Sequence, residues 1–74
     1  MKRICIIAQT NINWLIIDEN NYVVQNIDKA WFQLEGFNER YAQFKSIDKW
    51  ANDPVGTYYY FDISDESFCQ GKKV

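Results

Sequence analysis

Four consecutive aromatic residues, Tyr58 to Phe61, constrain the fold more than any other part of this chain. Successive side chains of a β-strand point to opposite faces of its sheet, so Tyr58 and Tyr60 share one face and Tyr59 and Phe61 the other. A chain of 74 residues has little material with which to cover both faces. We therefore predict that part of this aromatic surface stays outside the core.

Composition indicates how such a short chain builds a core. Hydrophobic residues make up 47% of the sequence and aromatic residues 18%. Large rings bury much area per residue, so an aromatic excess compensates for the shortness of the chain. The default interpretation of any single ring is therefore a core residue, and only rings that strand alternation forces outward are candidates for binding.

The sequence predicts an antiparallel sheet of three to four strands. Near-continuous apolar runs at 4–7 and 14–17 favour strands that are covered on both faces. The Asp-Glu-Asn-Asn stretch at 18–21 is typical of a tight hairpin turn, because Asn tolerates left-handed backbone. The predicted strands are listed by residue number: 3–9, 14–18, 22–25 and 57–63.

A first helix is predicted at about 27–35. Ile27, Trp31 and Leu34 lie at positions i, i+4 and i+7, which places them on one helical face. The alternative for this segment is a strand over 30–34.

A second helix is predicted at about 46–52, with Ser46 as its N-cap. The preceding residues 41–45 fit either a helix or a short strand. Pro54 and Gly56 break the chain after the helix. Whether residues 41–45 form a helix or a strand, the segment at 46–52 is predicted to be helical.

Together these elements predict an α+β fold in which one or two helices pack on one face of the sheet. We expect a single compact domain over residues 1–63 and a polar C-terminal tail over 64–74. The strand at 57–63 is expected beside an N-terminal strand, at the edge of the sheet. An exposed edge strand can pair with another chain.

Charge is distributed unevenly along the chain. The total is −2, but ten acids and four bases lie between Asp18 and Glu66, a net charge of −6 for that segment. Basic residues gather at the two ends, as Lys2, Arg3, Lys72 and Lys73. Nucleic-acid binding draws on clustered bases, so we expect no direct nucleic-acid contact. An acidic body favours the basic surface of a larger protein as partner.

The usual general base and metal ligand, His, is missing from the sequence. The two cysteines, Cys5 and Cys69, do not form a C-x-x-C pair. We therefore predict no enzyme activity, no catalytic or metal-binding residues and no cofactor. The apolar run near the N-terminus is shorter than a signal sequence requires, and no membrane span is expected. The predicted location is the cytoplasm.

The acids that follow the aromatic run suggest a binding surface. Tyr58 and Tyr60 would supply the contact area, and Asp62, Asp65 and Glu66 a charged rim. We predict a small inhibitor that mimics nucleic acid and occludes a basic, nucleic-acid-binding site on a larger protein. Phage-encoded inhibitors of host defence, anti-CRISPR proteins among them, share this size and acidity, and the location would then be the host cytoplasm. The alternative is a homodimer or larger homo-oligomer, a structural or regulatory module that pairs through the aromatic strand.

Overall fold

The computed structural model describes residues 3–74, and this part of the chain is all-β. The predicted α+β class is therefore wrong, since neither predicted helix is present. Lys2, one of the two basic residues predicted at this end of the chain, lies outside the described residues. The seven strands are β1 (Ile6–Gln9), β2 (Asn13–Ile17), β3 (Val23–Asp28), β4 (Phe32–Phe37), β5 (Tyr41–Ser46), β6 (Tyr58–Asp62) and β7 (Ser67–Gln70).

The strands form two antiparallel sheets. The first has the order β1-β2-β3 and the second the order β4-β5-β6-β7. The strands predicted at 3–9, 14–18 and 22–25 are present as β1, β2 and β3, and their predicted antiparallel pairing is confirmed. The predicted position of the aromatic strand is wrong, because β6 pairs with β5 and β7 and not with an N-terminal strand. The aromatic strand is therefore interior to its sheet and has no free edge.

The segment predicted as the first helix is instead a tight turn followed by β4. The Asp28 carboxylate accepts a hydrogen bond from the Ala30 amide (2.8 Å), and the Trp31 amide donates to the Asp28 carbonyl (3.1 Å). Asp caps a turn in this way as readily as it caps a helix. The spacing of Ile27, Trp31 and Leu34 on a helical face was thus coincidental, and the alternative strand over 30–34 is close to the truth.

The segment predicted as the second helix is a loop. Residues 41–45 belong to β5, and Ser46 ends that strand rather than capping a helix. The Ser46 hydroxyl accepts hydrogen bonds from the Gly56 and Thr57 amides (3.1 and 3.2 Å), which closes the loop on itself. Ala51 and Asn52 have positive φ angles of 52° and 63°, a conformation that helix continuation does not allow.

The two sheets pack their inner faces on a common core. The three-stranded sheet contributes Ile16 and Ile27, and the four-stranded sheet contributes Phe32, Phe44 and Phe61. Alternation along paired strands places Phe44 opposite Tyr59, with both side chains pointing inward. One apolar layer between two sheets is the arrangement of a small β-sandwich.

The Phe44 ring should carry much of the stability of this core, because its exposed fraction is 0%. We expect Phe44→Ala to lower the free energy of unfolding by about 3–5 kcal/mol, measured by urea denaturation. Phe37→Ala is the matched control, because Phe37 is 51% exposed and its truncation should cost less than about 1 kcal/mol. Equal losses for the two variants would show that Phe44 is not a core residue.

Candidate functional site

Strand alternation places the two predicted binding tyrosines on the outer face of the four-stranded sheet. Tyr59 and Phe61 are buried in the core, with exposed fractions of 3% and 1%. Tyr58 and Tyr60 point the other way and are half-buried. Tyr41, on the neighbouring strand, packs edge to face on Tyr60 at 5.6 Å between ring centroids. We call these three rings, Tyr41, Tyr58 and Tyr60, the tyrosine face.

Cations of the same chain lie over the tyrosine face. The ammonium groups of Lys45 and Lys72 are 5.6 and 5.0 Å from the centroid of the Tyr58 ring. The Lys73 ammonium is 5.3 Å from the centroid of the Tyr60 ring. These distances are in the range of cation–π attraction. The surroundings of these two rings are therefore basic, whereas the sequence suggested an acidic surface.

A single buried amide holds the end of the chain against this face. The side chain of Gln43 donates from Nε2 to the carbonyls of Tyr59 and Gly71, both at 2.9 Å. Its Oε1 accepts from the amides of Lys73 and Val74, at 2.6 and 3.1 Å. Gln43 is 1% exposed, and these four bonds use its full capacity. We call residues 71–74 the C-terminal strap, because they cross the outer face of the sheet.

Asp62, predicted as part of the acidic rim, is buried and paired within the chain. The Arg40 guanidinium binds both of its oxygens, with Nε to Oδ1 at 3.1 Å and Nη2 to Oδ2 at 3.0 Å. The Ser64 amide and hydroxyl also donate to Oδ1. The Arg40 pairing, aided by Ser64 and opposed by burial, lowers the pKa of Asp62 from 3.8 to about 2. The Asp62 carboxylate therefore stabilises the folded chain through its bonds to Arg40 and Ser64.

The other two predicted rim acids lie in the turn between β6 and β7. Asp65 accepts hydrogen bonds from the amide and hydroxyl of Ser67. Glu66, at a positive φ of 56°, accepts from the Arg3 guanidinium. Both acids thus have partners within the chain, and the partner-binding role of all five predicted residues stays a prediction.

A second outer surface was missed by sequence reasoning. On the three-stranded sheet, Ile6, Ala8, Leu15, Ile17 and Val23 lie on the face opposite the core. The register pairs Ile6 with Ile17, Ala8 with Leu15 and Ile17 with Val23, so their side chains are neighbours across the strands. Ile6 is 38% and Val23 56% exposed. We call this surface the aliphatic face.

The signal for the aliphatic face was present in the sequence. The apolar runs at 4–7 and 14–17 were interpreted as strands covered on both faces, whereas in the described part of the chain only their inner faces pack on the second sheet. The two runs therefore contribute part of an apolar surface on the outer side of the sheet. The aliphatic face includes no charged side chain.

Two observations on the described residues concern metal binding and thiol chemistry. Within residues 3–74 there is no cluster of three or more His, Cys, Asp or Glu side chains that would hold a metal ion. Burial raises the pKa of the Cys5 thiol to about 11, so this thiol is protonated at neutral pH and is a poor nucleophile. Over the same range no helix is both long and apolar enough to cross a membrane.

Comparison with known protein families, curated proteins and solved structures gives no significant match to this chain.

Removing the Gln43 amide should release the C-terminal strap. We expect Gln43→Leu to lower the free energy of unfolding by about 1–3 kcal/mol, because it leaves buried carbonyl and amide groups unpaired. Hydrogen exchange at the Lys73 amide should become faster. Gln33→Leu is the control, because Gln33 lies exposed on the adjacent strand and should change neither quantity. Unchanged exchange at Lys73 in Gln43→Leu would contradict the proposed role of the amide.

Asp62 should make stability depend on pH in acid. Its pKa is lower in the folded protein than its ordinary value of 3.8, so its stabilising contribution is complete above that value. The contribution is lost as the pH falls through the folded value of about 2. In Arg40→Gln the pKa of Asp62, followed by NMR titration of its carboxyl group, should rise. Lys49→Gln removes a charge elsewhere and should leave it unchanged. An unchanged Asp62 pKa in Arg40→Gln would rule out the pairing.

Proposed function

We propose that this chain is a small, non-enzymatic protein-binding module that binds its partner through the aliphatic face. The observation that carries the proposal is the cluster of apolar side chains on the outer surface of the three-stranded sheet, of which Ile6 and Val23 are exposed. Contiguous exposed apolar surface on a small domain is typical of a protein interface. The opposite outer surface is a weaker candidate, because the C-terminal strap and its lysines already cover the tyrosine face.

The surroundings of the aliphatic face suit a basic partner. Glu19 lies in the turn between β2 and β3, and Asp28 ends β3 on the outer side. The Glu19 carboxylate accepts a hydrogen bond from the Ile4 amide, and the Asp28 carboxylate accepts one from the Ala30 amide. These bonds fix each acid beside the sheet. An apolar centre with a charged rim is the usual anatomy of an interface. Acids on that rim would steer a basic surface toward it.

The size of the face sets a condition on the partner. Three strands about 4.8 Å apart, with a rise of about 3.4 Å per residue, give a patch much smaller than the roughly 800 Å² per partner of a standard interface. A stable complex therefore has to include the rim as well as the aliphatic centre. The narrower role, an anti-defence inhibitor that occludes a nucleic-acid-binding site, is supported by size and acidity alone and stays a prediction.

A second candidate is self-association through the same surface. An aliphatic face without charges is compatible with a second copy of itself, as a two-fold interface requires. The predicted homo-oligomer through the aromatic strand is less suitable, because both edges of β6 are already paired. A dimer would instead place the two three-stranded sheets face to face.

The proposal is tested by adding charge to the aliphatic face. Ile6→Lys/Val23→Lys is compared with Ile47→Lys/Val55→Lys, whose side chains are exposed elsewhere at 47% and 60%. Each tagged protein is used for quantitative affinity purification from the native host, and circular dichroism confirms folding. We expect proteins retained by the wild type and the control to be lost from the face variant, and at high salt their yield should fall.

Retention of the same partners by the face variant would overturn the proposal. Sedimentation equilibrium separates the second candidate from the first. A wild-type dimer that becomes a monomer only in Ile6→Lys/Val23→Lys would show that the occupant of the face is a second copy. A wild-type protein that stays monomeric at every concentration would exclude a second copy as the occupant of the face and leave a different protein as the occupant.

A further inference from the structure

A groove opens where several elements meet, and it shares one residue, Asp28, with the rim of the aliphatic face. Its walls are residues 25–28 of β3, Trp31 and Phe32 at the start of β4, Trp50 of the loop after β5, and Phe68 of β7. Its volume is about 350 Å³, at the lower end of the range for small-molecule sites. Nothing in the proposed protein-binding role requires this groove.

The walls of the groove are aromatic on several sides. The ring of Trp50 is 5.2 Å from that of Phe32 and 5.6 Å from that of Phe68, at interplanar angles of 70° and 88°. Phe32 and Phe68 are themselves 5.5 Å apart at 84°. These rings pack edge to face on one another, and the surface that they leave toward the groove is aromatic. Trp31, at 38% exposed, adds a further ring at the opening.

The only charged side chain among the lining residues is an acid. Asp28 is fixed by the Ala30 amide, which donates to its Oδ1 at 2.8 Å. Its sequence neighbour Lys29 is directed elsewhere, with its ammonium 2.6 Å from Gln9 Oε1 and 4.6 Å from the centroid of the Trp14 ring. The described groove therefore combines one negative charge with aromatic walls and contains no cation of its own.

We propose that this groove binds an organic ammonium ion, a quaternary or methylated amine. Aromatic rings attract such a cation through their negative faces, and contact with the same rings removes its methyl groups from water. Asp28 supplies the opposite charge, and the amides of Gln25 and Asn26 supply polar contacts for the rest of the ligand. The source is either a free small molecule or a methylated lysine side chain of another protein.

Choline is the first probe, and its neutral isostere dimethylbutanol, in which carbon replaces nitrogen, is the matched control ligand. Both are titrated at constant ionic strength while NMR follows the indole N–H signals of Trp31 and Trp50. We expect saturable shifts with choline, and binding of the isostere weaker by about tenfold or more. A peptide with trimethyllysine and the same peptide with unmodified lysine then distinguish the two sources.

Variants locate the site. Asp28→Asn and Trp31→Leu should each weaken choline binding by about fivefold or more, and Glu35→Gln, an exposed acid on β4 outside the lining, should leave it unchanged. Thermal unfolding checks that each variant is folded. The proposal is overturned if the isostere binds as well as choline, if both variants keep wild-type affinity, or if no saturable shift appears up to about 50 mM choline.

Discussion

The structure depends on the packing of two β-sheets against each other through one shared layer of side chains. Phe44, Tyr59 and Phe61 fill this layer from one sheet, and Ile16 and Ile27 from the other. Each sheet packs its inner face on the other sheet. Small sheets are unstable without such a partner surface. Both sheets therefore use their inner faces for stability, and only the two outer faces and the groove between the elements are left for binding.

The two outer faces differ because of what the chain does after β7. On the four-stranded sheet, the fully bonded Gln43 amide holds residues 71–74 across the sheet and brings lysines over Tyr58 and Tyr60. On the three-stranded sheet, Ile6 and Val23 are exposed, and Ala8, Leu15 and Ile17 are half-buried. Tyrosines that looked available in the sequence are thus covered, while isoleucines that looked buried are exposed.

The sequence predicted the first three strands well because their signals are local. Apolar runs and the Asn-rich turn at 18–21 need no distant contact to be interpreted. It failed between residues 27 and 52, where helical spacing of a few apolar residues competed with a turn signal that was overlooked, whereas the strand predicted at 57–63 is present as β6. Asp18, Asp28 and Asn38 follow one another at intervals of ten residues. The side chain of each accepts a hydrogen bond from the backbone amide two residues further along the chain. Turn signals at such regular intervals are typical of an all-β domain. The covering of the tyrosine face depends on contacts over about thirty residues, between Gln43 and the strap, which no local pattern reveals.

The structure distinguishes an open aliphatic face from a covered tyrosine face. A soluble paramagnetic probe measures this directly, because it broadens the NMR signals of solvent-exposed side chains. In dilute protein we expect strong broadening of the Ile6 and Val23 methyl signals and weak broadening of the Tyr58 and Tyr60 ring signals, with the buried Ile16 methyls as the internal reference. Strong broadening of the two tyrosine rings, together with Ile6 and Val23 methyls as protected as those of Ile16, would show that the tyrosine face is open and the aliphatic face covered.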